Sequence, residues 1–73
     1  MKYKEVLRAL IGVEGSLWPP DGGGTWIFEV GGTHHRAVLV SVEEDFAVFK
    51  RDTGKQRAIP LGLIVLEEMS KAS

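Results

Sequence analysis

Apolar residues at Tyr3, Val6, Leu7, Leu10 and Ile11 recur at i, i+3, i+4, i+7 and i+8, which predicts an amphipathic helix over Lys2 to Ile11. Lys4, Glu5 and Arg8 fall on its other side, and Gly12 supplies the stop. The stretch from Val13 to Gly24 is dense in breakers, with Pro19, Pro20 and three consecutive glycines. It reads as a short extended piece around Leu17 and Trp18 followed by a surface loop. From Thr25 the period changes to two. Trp26, Phe28 and Val30 alternate with Thr25, Ile27 and Glu29, and Gly31-Gly32 suits a two-residue hairpin turn. A long strand over His34 to Val42 is apolar on both faces in its second half, as in a strand bent across a barrel. Glu43-Glu44-Asp45 makes a corner before a strand over Phe46 to Lys50, and Asp52-Thr53-Gly54-Lys55 makes a polar turn. Arg57 to Leu61 and Leu63 to Glu67 complete five strands, with Pro60 and Gly62 forcing a break between the last two.

The expectation is a mainly β single domain over residues 1–73. It has a helix over 2–11, a Pro/Gly-rich insertion over 13–24, a strongly bent antiparallel five-stranded barrel over 25–68, and a frayed tail over 69–73. Seventy-three residues make one domain whose core is marginal alone. Cysteine is absent, which removes disulfides and thiolate metal sites, so self-association is the expected support. Nine Lys and Arg against ten Asp and Glu exclude binding to nucleic acid by bulk charge alone and leave only a local basic patch. No apolar run is long enough to span a bilayer and the first residues are in the wrong order for a signal peptide, so a cytoplasmic protein without a membrane partner is expected.

One helix followed by five short bent strands resembles the Sm-like family, Hfq-like proteins most closely. The first Sm motif is similar to Ala37, Leu39, Glu43, Phe46 and Ala47 here. Ile27 to Gly32 looks like the family's first strand and turn, and Ala58 to Leu61 with Ile64 to Leu66 looks like its last two strands. The resemblance implies a small SH3-like barrel, a homo-oligomeric ring and contact with single-stranded RNA. The basic signature that the family carries between its last two strands is replaced by Ala58, Ile59 and Pro60, so the pore contact is lost. On the opposite face, away from the helix, the resemblance places Phe28, Gly32, His34 and Arg36 as the RNA-binding residues.

Other patterns carry two readings each. His34-His35-Arg36 reads as solvated strand-start residues or as groups that stack a base and contact phosphate. Strand alternation would put His34 and Arg36 on one face and His35 on the other. Lys50, Arg51, Lys55 and Arg57 read as a solubilising hairpin edge or as a phosphate-attracting rim. Glu43-Glu44-Asp45 lacks any partner that would make it a catalytic or metal site, and no serine has a triad around it, so neither an enzyme nor a cofactor is expected. Trp26 reads as packed, and Trp18 beside two prolines as a surface for another protein. Leu63, Ile64, Val65 and Leu66 form an apolar run expected to pair with a neighbouring subunit, giving a ring of five to seven copies. A protein-interaction or scaffolding ring without RNA binding is the alternative function.

Overall fold

The computed structural model describes residues 2–68, and the tail at 69–73 lies outside the described residues. Six strands form one sheet: β1 Glu14–Trp18, β2 Trp26–Val30, β3 Arg36–Val42, β4 Phe46–Arg51, β5 Gln56–Pro60 and β6 Ile64–Glu68. Their order is β5-β4-β3-β1-β2-β6. Every pairing is antiparallel except that of β2 with β6, which is parallel. The mainly β class and the N-terminal helix hold. Five antiparallel strands become six in a mixed, open sheet.

The extra strand comes from the start of the Pro/Gly-rich segment, where the sequence predicts a short extended piece around Leu17 and Trp18. It runs from Glu14 to Trp18 and joins the sheet. β1 lies between β3 and β2, with Gly15 opposite both Ala37 and Val30. Its small residues are what a central position at this bend requires. A Cβ at Gly15 would stand 2.4 Å from the Glu29 carbonyl oxygen and 3.1 Å from the Phe28 ring. Gly31-Gly32 is accordingly no hairpin turn. β2 and β3 flank β1 on opposite sides, so the connection from Gly31 to His35 crosses the end of β1. Only Gly31 of the two has a positive φ, 83°.

The sheet curls on itself. Lying flat, six strands would hold β5 and β6 about 24 Å apart. Yet those edges are joined only by a 3-10 turn over Leu61–Leu63, a span of roughly 8 Å. Pro60 and Gly62 thus act as the break the sequence predicts. Curling brings Phe28 of β2 onto Phe49 of β4, with ring centroids 5.0 Å apart, and sets the Arg57 guanidinium of β5 5.0 Å over the Trp26 ring of β2. A bulge between Leu39 and Ser41 resets the alternation in β3, so Ala37, Leu39 and Val42 all face inward while Val40 is exposed. Leu7, Leu17, Phe28, Leu39, Ala47, Phe49 and Ile59 are the centre of the core.

Helix α1, Tyr3–Arg8, is shorter than expected. Glu5 accepts the Lys2 backbone N–H at 3.3 Å, which favours the start. After Arg8 the chain tightens, with Leu10 N–H donating to Leu7 O and Ile11 N–H to Arg8 O, before Gly12 turns away at φ 89°. The tightening rotates the end of the apolar stripe. Leu7 is fully buried and Leu10 packs at the core's margin, whereas Tyr3 and Ile11 are 40% and 45% exposed. The helix still bridges one end of the curled sheet. The Tyr3 hydroxyl donates to Ile64 O of β6, and Lys4 pairs with Glu44 beyond β3 at 3.5 Å.

Candidate nucleic-acid interface

β1 has two faces. Gly15 and Leu17 point into the core, so Glu14, Ser16 and Trp18 lie on the outer face. Ser16 is nonetheless fully buried, because the crossing segment Gly32–His35 folds over it. Its Oγ accepts the His34 backbone N–H at 2.9 Å, and Leu17 N–H donates to His35 O at 3.0 Å. Two backbone positions of that segment are therefore tied to β1. His35 takes a left-handed conformation, φ 46°, which turns both imidazoles toward the same neighbour.

That neighbour is Trp18. The His34 ring stacks on the indole at 5.9 Å and 29°, and the His35 ring meets it edge-on at 4.7 Å and 74°. Strand alternation fails here because β3 begins only at Arg36. Both histidines are exposed and Trp18 is half-buried, so the three rings make a standing aromatic surface. Sequence reasoning kept Trp18 and the histidines apart. The signal that joins them is the pairing of Ser16 with Arg36, which places Trp18 one strand step, about 7 Å, beyond Arg36.

Arg36 continues the outer face. Its guanidinium pairs with Glu14 Oε2 at 2.8 Å, and with both side chains more than half exposed the pair is worth about 0–1 kcal/mol. Beyond it, a cleft of about 390 Å3 is lined by Glu14, Arg36, Ala37, Val38, Lys50, Arg51 and Asp52. Of the basic hairpin, Lys50 and Arg51 reach this cleft. Lys55 is exposed in the turn, and Arg57 lies over the Trp26 ring, which is half-buried at the core's margin.

The remaining expected residues fall elsewhere. Phe28 is fully buried against Phe49, so its ring offers no face to a base, and that assignment is corrected. Gly32 packs closely on Ser16 beneath the surface: a Cβ there would stand 2.3 Å from Ser16 Oγ. Ile64 is 5% exposed and faces the core, because its register partner Trp26 lies on the inward side of β2. Leu66 packs at the core's margin, and Leu63 and Val65 are 39% and 43% exposed. The run from Leu63 to Leu66 is therefore split between core and surface, not presented whole to a partner. Among the described residues no three His, Asp or Glu side chains gather as a metal cluster, and no helix is long and apolar enough to cross a membrane. No protein-family model, curated protein or solved structure matches the chain.

Proposed function

We propose that this chain is a small Sm-like module that binds single-stranded RNA through the outer face of β1 and the start of β3, using Trp18, His34, His35 and Arg36. The observation that carries the reading is the exposed stack of His34 on Trp18, with Arg36 next along the same outer face and its guanidinium held toward Glu14. Unpaired bases seek such surfaces, because every base has a π-face and stacking needs no particular hydrogen-bond code. His34 and Arg36 keep the role expected of them, and Trp18 takes the stacking role that buried Phe28 cannot fill. Near-neutral charge makes the affinity modest and favours single strands over duplex, whose recognition depends more on dense phosphate contacts. Chemistry on the RNA forms no part of the reading, and neither does a cofactor.

Assembly into a ring belongs to the same proposal. Among the described residues β5 and β6 are the two edges of the sheet, and Val65 leaves an apolar side chain exposed on one of them. Pairing of these edges between copies would satisfy their open backbone groups by a head-to-tail contact. The same exposed Leu63 and Val65 favour the second reading, a scaffolding ring that contacts protein only.

Filter binding against poly-A and poly-U at two salt concentrations separates the two. RNA retention that falls steeply with salt and is lost in Trp18→Ala supports the first reading. No retention at either salt leaves the scaffold.

A further inference from the structure

The cleft beside the aromatic surface has a composition that stacking alone does not use. Glu14, Val38 and Lys50 form one cross-strand row, since Glu14 pairs with Val38 and Val38 with Lys50. Arg36 sits one step away, opposite Ser16, and is diagonal to both Glu14 and Lys50. Diagonal neighbours of this kind lie about 7–8 Å apart, within reach of long side chains. Arg36 and Lys50 therefore face Glu14 across the cleft, and Arg51 and Asp52 line its end, so its lining carries one net positive charge. The Glu14 carboxylate already occupies Arg36 at 2.8 Å.

We infer that this cleft seats a phosphate group of the nucleotide whose base stacks at Trp18, and that Glu14 is the resident carboxylate the phosphate must displace. The inference rests on the stacking reading above. A carboxylate and a phosphate both accept from a guanidinium fork, so the two compete for one donor set. The exchange is within reach because the Arg36–Glu14 pair is exposed and holds weakly. A phosphate in that place also gains Lys50, which Glu14 does not engage. Glu14 then penalises every anion that enters the cleft, and a nucleotide offsets that penalty by stacking its base, which free phosphate cannot do.

The test is a two-dimensional NMR titration of the full chain with adenosine 5′-monophosphate, adenosine and inorganic phosphate. Wild type, Glu14→Gln, Lys50→Gln and Trp18→Ala are compared. The wild type should bind the monophosphate more tightly than adenosine, with amide shifts at Val38, Lys50 and Arg51 produced by the monophosphate and not by adenosine. Glu14→Gln should tighten the monophosphate by about three- to tenfold, the effect of removing one charge about 6 Å from a phosphate in water, and leave adenosine unchanged. Lys50→Gln should weaken the monophosphate, and Trp18→Ala should weaken both nucleotide ligands. Equal binding of adenosine and its monophosphate, with no effect of Glu14→Gln, overturns the phosphate seat while the stacking reading stands. Failure of adenosine, the monophosphate and A-rich RNA alike overturns both.

Discussion

Gly32→Ala should dismantle the aromatic surface from below, although Gly32 touches none of its rings. The backbone there needs no left-handed conformation, so an added methyl is opposed by space alone. Its Cβ would lie 2.3 Å from Ser16 Oγ, 2.7 Å from Ser16 Cβ and 2.8 Å from Glu29 Oε1. The Glu29 side chain can swing aside. Ser16 cannot, because it is fully buried in the central strand and its hydroxyl holds the His34 backbone. Contacts of that kind relax toward roughly 3.5 Å, so the crossing segment must move by about 1 Å. Overpacking of this order costs about 1–3 kcal/mol, and for a domain this small the melting point should fall by about 5–20 °C. Ser16→Gly removes the obstructing atoms at its own cost, about 0.5–1.5 kcal/mol for the hydrogen bond and about 0.5–1 kcal/mol for glycine in a strand. In that background Gly32→Ala should cost under about 1 kcal/mol. Urea unfolding of the four proteins closes the cycle, and a coupling of at least about 1 kcal/mol is expected. If Gly32→Ala costs the same with and without the Ser16 side chain, the steric argument is refuted.

Other outcomes follow from the packing and the edges. Leu7→Ala should cost about 2–5 kcal/mol in thermal unfolding and Leu10→Ala less, because Leu7 is fully buried and Leu10 marginal, while Arg8→Ala should be near neutral. Equal effects at all three would mean that the helix does not cap the sheet. Burial pushes the Tyr3 phenol above its ordinary value of 10.0. The folded state therefore holds that proton more tightly than the unfolded chain. The resulting stability is complete below about pH 10 and is lost as pH rises through the folded value. Tyr3 is the only tyrosine in the chain, so Tyr3→Phe should lose less stability over that alkaline window than the wild type, as read by urea midpoints at several pH values. If edge pairing builds a ring, Val65→Lys should shift the mass seen by light scattering toward one copy, with the subunit still folded but its melting point lower by the lost association. Ile64→Lys should unfold it, because Ile64 lies in the core.

How much of this was legible in the sequence depended on whether a residue's role was local. The helix, its Gly12 stop and the Pro60–Gly62 break rest on backbone preferences, and they lie close to where the pattern predicts them. Of β1 only the extended piece around Leu17 and Trp18 was legible, because Gly15 and Ser16 are small for a tertiary reason, the close approach of β2 and the crossing segment, and small residues resemble a loop. Missing its place between β2 and β3 turned Gly31-Gly32 into a hairpin when it is a crossing. The alternation of Trp26, Phe28 and Val30 correctly grouped them on one face. Which face met water depended on the curl, and Phe28 was thereby set on the wrong side. The aromatic surface was hidden for the same reason: Trp18 and His34 are brought together by the pairing of β1 with β3, and no local signal encodes it.

The central claim is that Trp18 stacks an RNA base. Trp18 and Trp26 are the two tryptophans, so Trp26→Phe leaves Trp18 as the sole indole reporter. Titration of that variant with an A-rich single strand should quench the indole emission saturably. The midpoint should weaken steeply as salt rises, and the matching duplex should quench far less. Unchanged Trp18 emission at RNA concentrations where filter binding shows the complex formed would contradict the account.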